Sequence, residues 1–263
     1  MGATRSVSTS TPAEQTVTTE ARGRVLVITL RREAKRNAID SSITAGLDAA
    51  LNELEDDSEL WCGVLTGGSR IFSAGADLAS GPGDSTPRGG VAGIITRSRP
   101  KPLIAAVEGL ALGGGMELVL CCDLVVASAT AEFGFPEARR GLMPDFGGAF
   151  RVAGVLPANV ARELLLTTDN LTAERAERLG FVNRLVEPGK ALEVAIDLAE
   201  RICQHAPLAI RESLALVNAA ITPEEGDAWR RSDAAHARLV ATLDVREGID
   251  AFFERRPPVW TGR

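Results

Sequence analysis

Histidine is scarce in this sequence. Only His205 and His236 occur, both in stretches of helical pattern and far from the glycine-rich turns. A histidine-based zinc site or a Ser-His-Asp triad asks for more than this pair offers. Cysteine is scarce too. Cys62, Cys121, Cys122 and Cys203 form no CxxC pair, and adjacent Cys121 and Cys122 are poorly placed for a disulfide. All four sit in apolar patterns, which reads as buried, reduced thiols in a cytoplasmic protein. Positive charge is in deficit. A net charge of -6 argues against a nucleic-acid groove and a polybasic membrane contact. An anionic ligand stays possible, because a few local cations suffice. Residues 1–20 are rich in Ser and Thr and lack the apolar stretch of a signal peptide, so they read as a loose, disordered tail. Neither a GxxxxGK[ST] phosphate loop nor a GxGxxG turn occurs, and there is no convincing repeat, low-complexity block or long linker.

What is there is globular. Of 263 residues, 45% are hydrophobic and 24% charged, enough to bury a sizeable core. Residues 102–128 are apolar enough to suggest a membrane span, but Glu108, Glu117, Asp123 and a glycine cluster interrupt them. Each charge at bilayer depth costs about 2.5 kcal/mol or more, so the run reads as buried soluble core, with no membrane. The first two-thirds alternates elements: strands at 24–30, 61–66, 103–107 and 123–128, and a helix at 41–56 capped by Ser41 or Ser42. The last third reads as helices at 158–166, 172–179, 191–204, 206–220, 223–239 and 246–255, with one short strand at 181–186. The fold class is therefore α/β, with a core over 21–204 and a helical C-terminal region over 205–263.

Two glycine-rich turns stand out. Ser73-Ala74-Gly75-Ala76-Asp77 follows one strand, and Gly113-Gly114-Gly115 follows another and opens a helix. Small residues let the backbone approach a ligand, and a helix start offers free N–H groups. Two N–H groups from different loops could hold a developing oxyanion. Taken alone, GGG is equally an ordinary strand-to-helix turn. Three carboxylates follow: Glu117 one turn into the helix, Glu137 after Pro136 in FGFPEA, and Asp145 in MPDFGG. A converging carboxylate pair could activate a water and deliver a proton, although any one could equally be a capping or surface residue.

The motifs RNAID, FSAGADL, EGLALGGGMELVLCCDLVVAS, AEFGFPEARRGLMP, FGG, RAERLGFVNRLV and FFERRPPVW occur in this order. Together they resemble the enoyl-CoA hydratase/isomerase (crotonase) superfamily over about Val25 to Trp260. The resemblance implies a spiral of ββα units whose helical C-terminal region builds homotrimers, often paired into hexamers. It implies an acyl-CoA thioester substrate whose carbonyl is polarised by the Ala76 and Gly114 N–H groups, with Glu117 and Glu137 as the hydratase pair. It implies no metal and no redox cofactor, since CoA belongs to the substrate. The CoA contacts it suggests are Ala34, Lys35 and Arg36, the Ala74–Leu78 loop with Ala76, Asp77 and Leu78, then Pro136, Phe252 and Arg255. One departure concerns Asp145. The common hydratase pattern after the second glutamate is Pro-Gly-x-Gly-Gly, whereas this chain reads Pro144-Asp145-Phe146-Gly147-Gly148. Similar wording occurs in carnitinyl-CoA dehydratases, and an aspartate there serves dienoyl-CoA isomerases. The leading expectation is a 2-enoyl-CoA hydratase. The others are a carnitinyl-CoA dehydratase-like enzyme, an isomerase using Asp145, and a non-catalytic acyl-CoA binder.

Overall fold

The structure is a computed structural model, and it describes residues 15–221 and 225–261. Six strands form the main sheet in the order β1-β2-β3-β4-β6-β9: β1 (Val17–Arg22), β2 (Val25–Leu30), β3 (Cys62–Thr66), β4 (Leu103–Val107), β6 (Leu124–Ser128) and β9 (Arg184–Val186). All neighbours are parallel except β1 and β2. A parallel sheet covered on both faces needs continuous apolar strands. Alternation along β2 shows why. Val25 and Val27 join Cys62, Val64, Ile104, Ala106 and Val126 under Ala191, Ala195, Ile196 and Ala199 of α6 (Ala191–Cys203). Leu26, Ile28 and Leu30 point the other way, to Ile43, Leu47, Leu51 and Leu54 of α1 (Ser41–Asp56).

The apolar run at 102–128 is core, as expected, and its charges are placed. Glu108 is buried and accepts from the Ala191 N–H at 3.0 Å, while Asp123 pairs with Arg99 at 3.0 Å. Among the described residues no helix is long and apolar enough to cross a membrane.

Several local expectations change. The segment read as a tail is partly sheet. β1 begins at Val17 and pairs with β2 from Val17↔Leu30 to Arg22↔Val25. It is an edge strand, largely exposed and carrying a Glu20–Arg22 ion pair, so it shows no hydrophobic alternation to read. Residues 1–14 of the tail lie outside the described residues. The cap of α1 is Asp40, whose carboxylate accepts from Ser42 and Ile43 N–H. The expected strand at 181–186 contracts to β9. The expected helix at 223–239 becomes α8 (Glu225–Val240), and its first two positions lie outside the described residues. That at 246–255 becomes α9 (Leu243–Glu254), which starts earlier because Thr242 caps it.

A second, three-stranded sheet positions the site: β5 (Leu110–Leu112), β7 (Glu132–Gly134) and β8 (Leu171–Thr172). β5 and β7 run parallel with Leu112 opposite Gly134. Their C-terminal ends therefore emerge side by side. One continues into Gly113 and α2 (Gly114–Leu120), the other into Pro136 and the 3-10 turn Glu137–Arg140. The remaining helices are α3 (Gly148–Val155), α4 (Ala158–Thr167), α5 (Ala173–Arg178) and α7 (Pro207–Ile221).

Candidate active site

The loop after β3 is pinned by Asn37. This buried side chain donates to the carbonyls of Gly67, Ile71 and Phe72 and accepts from the Arg32 N–H at 2.8 Å. Beyond it, the Ile39 N–H donates to Gly75 O and the Asp77 N–H to Ile39 O. The bonds flank Ala76 and leave its own N–H without a protein acceptor among the described residues. Gly75 takes φ +96°, and a Cβ there would meet Leu112 O at 2.9 Å and Gly114 N at 3.0 Å. Only glycine lets the two turns approach so closely.

Gly114 opens α2, so its N–H has no carbonyl four residues back within the helix. A Cβ on Gly114 would stand 3.2 Å from the Ala76 nitrogen. Two unengaged N–H groups thus come from different loops to one spot. A Cβ on neighbouring Gly113 would meet Glu137 Oε1 at 3.0 Å, so the second glutamate reaches the same corner. Glu137 Oε2 is buried with no hydrogen-bond partner among the described residues. Burial pushes this carboxyl up to about 7, with the Asp145 charge adding and Arg140 opposing.

Glu117 is 2% exposed, and its Oε1 accepts from the Gly148 N–H at 2.8 Å. Burial first, then the charge of Glu137, raises its proton affinity well above the ordinary carboxylate range. The hydrogen bond from the first residue of α3 works against this but does not reverse it. Asp145 completes the group. Its carboxyl is raised by burial, and His236 on α8, whose Nδ1 lies 2.9 Å from Asp145 Oδ2, opposes the rise. Among the described residues no group of three or more His, Cys, Asp or Glu is arranged to hold a metal ion.

The structure thus brings Ala76, Gly114, Glu117, Glu137 and Asp145 together. It distributes the other candidates differently. Ala34 and Lys35 sit on an exposed turn, followed by exposed Arg36 at φ 53°. Asp77 is held by Arg32 at 2.8 Å, and Arg32 also binds Asp40, so Asp77 fastens its loop. Ala74 and Leu78 are half-buried beside it, and half-buried Pro136 leads into Glu137. Phe252 lies under the Arg140 guanidinium, 4.6 Å from ring centroid to Cζ. Arg255 is exposed where α9 ends, at φ 55°. The sequence reading missed Asn37 and Arg32 as organisers, although Asn37 lies within RNAID and Arg32 just before it, and it placed His236 far from the glycines. No local pattern signals that last contact.

A family model described as enoyl-CoA hydratase/isomerase matches residues 20–263. A short-chain-enoyl-CoA hydratase of Clostridium acetobutylicum is 35% identical over 90% of this chain and 94% of its own. A carnitinyl-CoA dehydratase of Salmonella typhi is 38% identical over 92% and 96%. The crystal structure of a carnitinyl-CoA hydratase from Mycobacterium avium superposes with a TM-score of 0.90 at 41% identity, covering 95% of this chain and all of that one. With its ββα architecture and with relatives matching along nearly its whole length, the chain belongs to the enoyl-CoA hydratase/isomerase family.

Proposed function

We propose that this protein reversibly adds water across the C2–C3 double bond of 2-enoyl-CoA thioesters. The observation that carries this is the meeting of two unengaged backbone N–H groups, on Ala76 and Gly114, with two glutamates of raised proton affinity. The thioester oxygen sits against the two N–H groups. Negative charge develops on that oxygen as water attacks C3, and each donor aimed at it contributes roughly 10²–10³ in rate. The glutamates repel one another as anions and titrate as a unit. With one ionised and one neutral, the first takes a proton from the water whose hydroxyl goes to C3. The second gives its proton to C2. This is acid–base chemistry throughout, so the reading calls for no metal or redox cofactor beyond the CoA carried by the substrate.

For the CoA moiety we assign Ala34, Lys35, Arg36, the Ala74–Leu78 loop and Pro136, with Phe252 and Arg255 from the C-terminal end. Arg36 lies near enough to Arg140 to disfavour its charge, and an anionic CoA phosphate would relieve that repulsion. The protein is assigned to the cytoplasm as a homotrimer or a hexamer made of two trimers. The support for assembly is α7, which buries none of its residues and exposes Leu208, Leu216, Val217 and Ile221.

A second reading, a carnitinyl-CoA dehydratase-like enzyme or a double-bond isomerase, is favoured by Asp145 standing beside the glutamate pair. The deciding experiment follows enoyl-thioester absorbance on adding crotonyl-CoA. Wild type consumes it, Glu117→Gln and Glu137→Gln each lose roughly 10²–10⁴ in rate, and Asp145→Asn is mild. Inert wild type, or an Asp145 as essential as the glutamates, moves the assignment to carnitinyl-CoA and dienoyl-CoA substrates.

A further inference from the structure

Helix α8 comes from the far end of the chain, yet it packs on the segment that grips Glu117. Trp229 meets the Phe150 ring edge-on, with centroids 5.1 Å apart. A Cβ on Gly147 would lie 3.2 Å from the Trp229 ring. Seven residues further along α8, two turns of helix, comes His236, on the same face as Trp229. Its Nδ1 lies 2.9 Å from Asp145 Oδ2. The short stretch from Asp145 to Gly148 therefore carries both a carboxylate clasped by α8 and the N–H that grips Glu117. We propose that His236 is a positioning residue: its Nδ1–H holds the Asp145 carboxylate as an anion in one orientation, fixing a third negative group beside Glu117 and Glu137. The idea rests on the hydratase reading for its kinetic consequence, though not for the contact itself.

The charged groups around Asp145 set the direction of the effect. Glu117 feels its charge from α2 and Glu137 from the 3-10 turn, where Arg140 acts on Glu137, while Asp233 and His236 act on Asp145 from α8. The Asp145 anion disfavours charge on both glutamates. Removing the His236 donor removes an interaction that favours the anion. Asp145 then keeps its proton to higher pH, its repulsion fades, and the glutamates ionise more readily. The acid limb of kcat/KM, which reports the free enzyme's base, therefore moves to lower pH.

The test is a pH profile of crotonyl-CoA hydration for wild type, Asp145→Asn, His236→Ala, His236→Asn and the double variant Asp145→Asn/His236→Ala. Asp145→Asn and His236→Ala each shift the acid limb down by roughly half a pH unit or more, and the double variant shifts it no further than Asp145→Asn. His236→Asn, whose amide reaches where Nδ1 stood, returns the limb toward its wild-type position. A His236→Ala profile that loses amplitude at an unmoved midpoint means that the ring only packs, and the proposal falls. So does full additivity in the double variant. A second arm needs no turnover. With two histidines in the chain, long-range proton–nitrogen spectra of the imidazoles assign readily. His236 shows a protonated Nδ1 whose signal changes in Asp145→Asn while that of His205 stays put. An unprotonated Nδ1, or no response to Asp145→Asn, overturns the pairing. If wild type is inert with crotonyl-CoA, the hydratase reading fails and this second arm still decides the contact.

Discussion

At the scale of single residues, the site is built from groups kept in states that they would not choose in water. Glu137 shows this most directly, because burial lifts its carboxyl from an ordinary 4.5 to about 7. The sign follows from linkage. Below pH 4.5 the carboxyl is protonated in both folded and unfolded chains and costs nothing. As pH rises from there toward 7, the unfolded chain releases its proton first, so the folded state loses stability across that window. Every tenfold change in proton affinity is worth about 1.4 kcal/mol, which makes the loss about 3 kcal/mol above pH 7. Glu137→Gln keeps the shape and removes the charge. It is expected to melt several degrees above wild type at pH 8, to match it at pH 4, and to be nearly inactive. Thermal melts at the two pH values check this. Equal melting at pH 8 would mean that the carboxylate is solvated and the pocket is not dry. Glu108 is also buried, but its carboxylate accepts from the Ala191 N–H at the start of α6 and lies outside the site.

At the scale of elements, the start of α3 decides where Glu117 stands. A Cβ on Gly148 would meet Glu117 Cγ and Oε1 at 2.8 Å and Phe135 Cε1 at 2.7 Å. Gly148→Ala must push the carboxylate or the helix start aside. Misplacement of about 1 Å costs about 10²-fold in rate, so kcat is expected to fall by that order with KM little changed. Gly154→Ala in the same helix is the control, since its Cβ would meet only Ile221 Cγ2 at 3.8 Å. It should retain activity and gain about 0.5–1 kcal/mol of stability. Steady-state kinetics and melts on the two variants check the contrast, and a fully active Gly148→Ala would sink it. This helix also marks the limit of legibility. The apolar strands β2, β3, β4 and β6 announce themselves, because a sheet buried on both faces demands them. GGAFRVAGV hides α3, since glycines dilute its stripe, and β5, β7 and β8 are too short to show any period. Yet the pairing of Leu112 with Gly134 is what brings Glu117 and Glu137 together. The sequence motifs name the two glutamates; local physics alone does not show that they converge. His236 lies beyond both, because a contact between α8 and Asp145 is purely tertiary.

At the scale of the whole molecule, the sheet and its flanking helices close a core, but the C-terminal helices do not close themselves. Helix α7 buries none of its residues. Its four exposed large apolar residues, Leu208, Leu216, Val217 and Ile221, are 54–73% accessible. They are not confined to one stripe, and a helix apolar around most of its circumference belongs inside something larger. Burying such side chains contributes roughly 1.5–3 kcal/mol each, repeated at every copy of a symmetric contact. The occupant that we assign is a second copy of this chain, as in the trimer proposed above. Sedimentation velocity should show a particle of three or six chains. Leu216→Glu combined with Val217→Glu should yield single chains, because a carboxylate cannot be left unpaired in that contact. The substitutions touch no residue of the glutamate site, so a monomer produced this way keeps the local geometry of Ala76, Gly114 and Glu117. Its CoA grip is the part expected to suffer, since Phe252 and Arg255 lie in the same C-terminal region. The result to expect is therefore a raised KM with a smaller change in kcat. A wild-type chain that sediments as a monomer would remove the assembly, and with it the reason for an apolar α7.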